Sequence, residues 1–227
     1  MVSVLGALFI HAMMPVKDRK RSFMLDTILQ RVRDYSPHLL EPEGRMPEAA
    51  VLMPITRSES PELVLTLRAS GLSTHGGEVA FPGGRRDPED RDLVHTALRE
   101  AEEEVGLAPG IVEVVGPLSS LVSIHGIHVT PFVGIVPDFV KYRPNDAEIA
   151  AVFSVPLDFF CHDPREVTHR IDYQGAAWYI PSYRYGEYKI WGLTAIMIVE
   201  LVNLVYDAGI ELRRAPASYV DLSQKRT

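Results

Sequence analysis

The chain has 227 residues, 46% of them apolar and 23% charged, enough for one sizeable core and short for two independent domains. Its formal charge of −7 excludes a general nucleic-acid binder, which would need clustered Lys and Arg to neutralise phosphates; an anionic ligand has to be held by local positive charge. The single cysteine, Cys161, allows neither an intramolecular disulfide nor a cysteine zinc cluster and points to a reducing compartment.

In chain order, residues 1–15 are apolar, but the basic residues Lys17, Arg19, Lys20 and Arg21 follow the run, the wrong order for a secretory signal. The run also falls short of the roughly 18–20 residues that span a bilayer. Residues 24–33 read as a short amphipathic helix, with Met24 as an alternative start. The expected organisation is an extension over 1–23, one domain over 24–208 and a tail over 209–227. Strands are predicted at 49–55 and 63–68, joined by the polar loop Arg57-Ser58-Glu59-Ser60-Pro61. A turn-rich stretch leads to 78–81 and then Pro82-Gly83-Gly84. Between 92 and 105 apolar residues recur at 93, 94, 97, 98, 101 and 105, one face of a helix, which Gly106 ends. Further strands are expected at 111–115, 129–136 and 150–155, with short ones around Trp178 and Ile190, and 193–206 closes the domain as a mostly apolar helix. Elements mixed in this order imply an α/β sandwich with a mixed sheet.

The informative stretch is Arg99-Glu100-Ala101-Glu102-Glu103-Glu104-Val105-Gly106-Leu107. Glu100, Glu103 and Glu104 stand at i, i+3 and i+4, so three carboxylates share one side of the helix, an arrangement of like charges that costs stability. At about 100° per residue, the apolar arc runs from roughly 20° to 160° measured from Glu100. Glu104 falls inside it at about 40°, Glu103 at about 300°, and Glu102, near 200°, points outward. Carboxylates at a core boundary suit oxygen-ligated Mg²⁺ or Mn²⁺.

The stretch resembles the Nudix box, whose pattern is Gly, five residues, Glu, seven residues, then Arg-Glu-apolar-any-Glu-Glu-any-Gly-apolar. Residues 99–107 match its second half. In the first half Gly84 and Asp90 lie one residue earlier than the pattern asks, so one inserted residue, with Asp for Glu, restores it. The resemblance implies a Nudix α/β/α sandwich with a mixed β-sheet. It also implies that Glu100, Glu103 and Glu104, with the backbone at Gly84, hold Mg²⁺ or Mn²⁺, while Arg99 orients a glutamate.

Leu65-Thr66-Leu67-Arg68-Ala69 and Gly77-Glu78-Val79-Ala80-Phe81-Pro82-Gly83-Gly84 are similar to the coenzyme A pyrophosphatase subgroup of Nudix hydrolases. The likeness continues through Asp87-Pro88-Glu89-Asp90, Val129-Thr130-Pro131-Phe132-Val133-Gly134, Asp146-Ala147-Glu148-Ile149 and Trp191-Gly192-Leu193-Thr194-Ala195. The one-residue expansion of the box fits this subgroup too. A second Arg of the pattern is replaced by Ser73, near His75. What the subgroup implies is hydrolysis of coenzyme A or its thioesters to 4′-phosphopantetheine and adenosine 3′,5′-bisphosphate. Glu148 is the expected general base, with Glu103 or Glu104 as competitors. Arg68, His75, Arg85, Arg86 and Phe81 are the expected substrate contacts. The alternatives are a Nudix hydrolase of ADP-ribose, a dinucleotide or a modified nucleoside triphosphate, and a non-catalytic nucleotide sensor. A cytoplasmic enzyme without nucleic-acid or membrane partners is expected, pairing as a homodimer if it follows its relatives.

Overall fold

Strand β1 (Glu48–Thr56) divides its side chains between two layers, as the period of a strand requires. Ala50 and Leu52, both fully buried, meet Ala97, Ala101 and Val105 of one helix in a small cluster closed by Leu107, Phe132 and Val136. Ala49, Met53 and Ile55 point the other way, into the larger core shared with two further helices. The computed structural model describes residues 16–39, 46–71, 76–173 and 175–222, and of 16–23 the helical backbone alone. Its helices are α1 (Val16–Asp34), α2 (Leu93–Val105) and α3 (Gly192–Tyr206). With α2 on one face of the sheet and α1 and α3 on the other, the architecture is the expected α/β/α sandwich.

Around β1 the sheet is mixed. β7 (His128–Val136) runs parallel to it through nine residue pairs, from Glu48↔His128 to Thr56↔Val136. β2 (Glu62–Arg68) and β4 (Gly83–Arg85) share its other edge, both antiparallel. β3 (Val79–Ala80) and β8 (Ile149–Pro156) pair with β2, and β5 (Glu113–Pro117) and β6 (Leu121–Val122) with β7. A second sheet in the order β11-β10-β9-β12 comprises β9 (Arg165–Tyr173), β10 (Ala176–Tyr185), β11 (Tyr188–Ile190) and β12 (Val220–Asp221).

Four expectations change in extent. α1 begins at Val16, eight residues before the helix predicted at 24–33. β5 starts at Glu113 because Pro109–Ile111 form a 3₁₀ turn. The short strands near Trp178 and Ile190 are parts of a long hairpin with β9, which the sequence reading did not anticipate. Described residues beyond 208 also join the fold: Ile210 is buried, and β12 adds to β9.

α3 buries eight of its fifteen residues, from Thr194 to Val205, so its apolar character is explained by the core. Trp191 caps it without a side-chain bond, and Thr194 Oγ1 donates to the Val79 carbonyl at 3.0 Å, tying the helix to the strand that leads into the glycine loop. Thr194→Val keeps the shape and leaves that buried carbonyl unpaired. We expect a loss of about 1–3 kcal/mol, read as a lower urea midpoint at unchanged m-value. Among the described residues no helix is long and apolar enough to cross a membrane.

Candidate active site

The site is built where α2 crosses β4. Asp92 caps α2 by accepting from the His95 N–H at 2.7 Å, and Gly106, at φ 68°, closes it with paired bonds back to Ala101 and Glu102, the left-handed ending glycine permits. Between these caps the helix phase is fixed, and with it the carboxylates. Glu104 is 3% exposed, as the angular arithmetic required, whereas Glu103 is 58% exposed and Glu100 only 17%.

Glu104 has both oxygens engaged: Oε2 accepts the Gly83 N–H at 3.1 Å and Oε1 accepts from Arg68 Nη1 at 3.2 Å. Burial pushes its pKa up to about 7, opposed by the Gly83 N–H and Arg68 and reinforced by the charges of Glu100 and Glu148. Burial also raises Glu100, against the pull of Arg99 and with help from Glu103 and Glu148. The negative charge of Glu148 thus bears on both glutamates. Glu148 is carried by the turn before β8, which docks on the end of α2 through Asn145 N–H to Glu104 O and Arg143 N–H to Val105 O, each 2.8 Å.

Gly84 lies against Glu100, and a Cβ there would sit 2.4 Å from the carboxylate. A Cβ at Gly83 would strike the Ala50 carbonyl at 2.4 Å. Gly83 is thus required for β4 to lie against the β1 backbone, and a side chain at Gly84 would push the Glu100 carboxylate from its place.

Asp90, in the irregular half of the motif, binds the arginine of the regular half. It is 3% exposed and binds Arg99 through two parallel bonds, Nε to Oδ1 and Nη2 to Oδ2, each 3.0 Å. Its oxygens also take the Asp87 N–H and meet His95 Nδ1. Hydrogen bonds from Arg99, more than offsetting burial, hold its carboxyl well below the usual carboxylate range. Anchored this way, Arg99 reaches Glu100 and Glu103 with Nη1 at 3.0 Å and the Arg85 carbonyl with Nη2 at 3.1 Å. His95 was not anticipated; its place one turn before Arg99 on the helix was the available signal.

The expected substrate contacts separate. Arg68 reaches the site through Glu104. Arg85 is exposed at the end of β4. Arg86 is engaged by Glu48 at 2.9 Å and the Asp90 carbonyl at 3.3 Å, so it fixes the loop. Phe81 is corrected from substrate contact to core residue: at 3% exposure its ring is packed in the larger cluster. His75 and Ser73 lie outside the described residues.

Among the described residues no three His, Cys, Asp or Glu side chains already stand as a cation cage, because Glu103 is drawn to Arg99 and Glu104 to Arg68. The donor set nevertheless suits a hard divalent ion: oxygen ligands only, with mutually repelling carboxylates that a cation would stabilise.

The NUDIX domain model matches residues 46–170. The Nudix hydrolase NudL of Shigella sonnei (strain Ss046), described as uncharacterized, is 42% identical over 181 residues, 80% of this chain and 94% of that protein. Its counterpart from Escherichia coli O1:K1 is 41% identical over the same extent. Among solved structures, a MutT/nudix family protein from Enterococcus faecalis aligns at TM-score 0.49 and 12% identity, covering 86% of this chain and 75% of that one. A family match over more than half the chain, with relatives above 40% identity along nearly their whole length, makes this chain a member of the Nudix hydrolases, pyrophosphohydrolases of nucleoside diphosphate derivatives that generally use divalent metal ions.

Proposed function

We propose that the enzyme hydrolyses the diphosphate bond of coenzyme A or its thioesters, releasing 4′-phosphopantetheine and adenosine 3′,5′-bisphosphate. One observation carries the reading: the stretch similar to the coenzyme A subgroup converges at both ends on the carboxylates. Its Arg68 binds Glu104 Oε1, its Gly83 N–H binds Oε2, and its Gly84 abuts Glu100.

In this reading Glu100, Glu103 and Glu104, beside the Gly84 backbone, hold Mg²⁺ or Mn²⁺. Such an ion, when bound, neutralises diphosphate oxygens and lowers the pKa of water. Arg99 keeps Glu100 and Glu103 aimed, itself fixed by Asp90. Glu148 takes the proton of the attacking water; the docking of its turn on the end of α2 supports it over Glu103, which Arg99 already engages. Arg68 and Arg85 meet the anionic substrate, as Arg does through paired hydrogen bonds. A cytosolic setting, with no nucleic-acid or membrane partner, belongs to the same reading. A homodimer would have to use a surface other than the buried stripe of α3.

A second reading rests on Ser73, which stands where the subgroup has its second Arg: another nucleoside diphosphate derivative would then be the substrate. A mass-spectrometric product assay separates the two. Coenzyme A, ADP-ribose and a nucleoside triphosphate are each offered with Mg²⁺ or Mn²⁺, with Glu104→Gln as control. We expect 4′-phosphopantetheine from coenzyme A with the wild type and not with the variant. Intact coenzyme A alongside cleaved ADP-ribose or triphosphate would assign the substrate to the second class.

A further inference from the structure

Arg68 is the last residue of β2, and its backbone is fixed on both sides: its N–H donates to the Glu78 carbonyl and its own carbonyl accepts from Gly77, each at 3.0 Å. The strand irregularity between Leu67 and Arg68, opposite β8, sets the side chain beside Glu104. There the guanidinium makes one polar contact among the described residues, Nη1 to Glu104 Oε1, while its Nε is buried and has no hydrogen-bond partner. A guanidinium has five N–H donors in a rigid fork suited to paired oxygen acceptors. A single contact at 3.2 Å with Nε left unpaired is a poor use of that fork. Glu104 in turn is the most enclosed of the carboxylates, and its Oε2 is taken by a backbone N–H that cannot move without displacing β4. Each oxygen keeps a second lone pair, but at Oε1 a cation would have to approach beside the positive guanidinium of Arg68.

We propose that Arg68 is an internal counter-ion that competes with the divalent metal for Glu104 Oε1, so that metal binding releases the guanidinium toward the diphosphate of the substrate. The proposal rests on Glu104 being a metal ligand. Competition of this kind has a sign opposite to an ordinary supporting residue: removing Arg68 strengthens metal binding. The coupling runs both ways, since a factor by which Arg68 weakens the metal is the factor by which the metal weakens the Arg68–Glu104 pair.

The test is Mn²⁺ titration of the full chain without nucleotide, following free Mn²⁺ by electron paramagnetic resonance. Wild type, Arg68→Met, Arg68→Lys, Glu104→Gln and the Met/Gln double variant are compared. Arg68→Met is expected to bind Mn²⁺ about five- to tenfold more tightly, within the usual range of coupling factors, and Arg68→Lys to lie between it and wild type. Glu104→Gln is expected to weaken binding at least about tenfold, and in that background Arg68→Met has no further effect. Circular dichroism melts at saturating Mn²⁺ establish that each variant is folded. Equal or weaker Mn²⁺ binding by both Arg68 variants, with Glu104→Gln still damaging, overturns the competition and leaves the metal site standing. An unchanged affinity in Glu104→Gln overturns the metal assignment itself. The release toward substrate is read separately: at saturating Mn²⁺ a methylene-bridged ADP analogue binds about tenfold more weakly to Arg68→Met, and an unchanged affinity refutes that half.

Discussion

In metal-free protein, Glu104→Gln is expected to abolish the loss of stability that the wild type shows as pH rises through 7 and, in the loaded enzyme, to remove most hydrolysis. The folded-state pKa of Glu104 is pushed up to about 7, chiefly by burial, from 4.5. A carboxyl whose folded value lies above its unfolded value contributes stability that is full below about pH 4.5 and is lost as pH rises through 7. At 1.36 kcal/mol per unit the loss between pH 5 and pH 8 is on the order of 2–3 kcal/mol. Glutamine keeps the shape and an acceptor for the Gly83 N–H but does not titrate. Urea unfolding in chelator at pH 5 and pH 8 should therefore show a fall in the wild type that is absent from the variant. A fixed concentration of Mg²⁺ or Mn²⁺ should stabilise the wild type at pH 8 more than the variant, whose site has lost one ligand. Activity should drop by at least about 100-fold, the upper range for groups that support a metal and a floor for one that binds it. Parallel pH profiles for the two proteins would mean that Glu104 is not the strained carboxylate of this site.

That Glu104 could be picked out from sequence follows from the arithmetic of a helix: an acidic residue inside an apolar arc has to be buried, and it is 3% exposed. The same arithmetic did less for Glu103, which it set at the border and which stands 58% exposed against Arg99. Strands whose two faces are both covered, such as β1 and β7, were legible as continuous apolar runs. β9 was not, because Arg165, Glu166, His169, Arg170 and Asp172 interrupt its apolar residues; the charges of Arg165, Glu166, Arg170 and Asp172 are met by Asp163, Arg184, Asp221 and one another, while the His169 ring packs edge-on against Trp191. Neither could sequence spacing reveal that the Phe81 ring packs into the larger core, since that follows from how the chain passes between β3, paired with β2, and β4, paired with β1. Glu148 lies more than forty residues from the box. Its approach depends on the turn at Asn145 docking on the end of α2, a tertiary contact with no local signature.

Asp90 carries the largest expected effect on stability. The family pattern asks for glutamate there and this chain has aspartate one residue early, yet the carboxylate sits squarely on Arg99, with the Asp87 N–H and His95 completing its partners. Asp90→Ala removes the anion from a buried pair and leaves the guanidinium of Arg99, 21% exposed, without its anchor. Because Nη1 keeps Glu100 and Glu103, we expect a loss of about 3 kcal/mol, the lower end for a buried pair broken from one side, seen as a fall in the urea midpoint at pH 7. Because Arg99 holds the Asp90 carboxyl well below its ordinary 3.8, the wild-type contribution is complete above about pH 4 and disappears as pH falls below it, so wild type and Asp90→Ala should converge in acid. Asp90→Glu tests whether the loop is built for the shorter side chain. The side chain at this position is 1% exposed, so an extra methylene has to displace its neighbours at a cost of about 1–3 kcal/mol. In both variants Arg99 no longer presents Nη1 squarely to Glu100 and Glu103, and kcat is expected to fall about 10- to 100-fold, as for the partners that orient metal ligands. Unchanged stability in Asp90→Ala would show that the loop between β4 and α2 is held by its other contacts, the Arg86–Glu48 pair foremost, and that the expanded half of the box takes its shape from the backbone and not from the carboxylate.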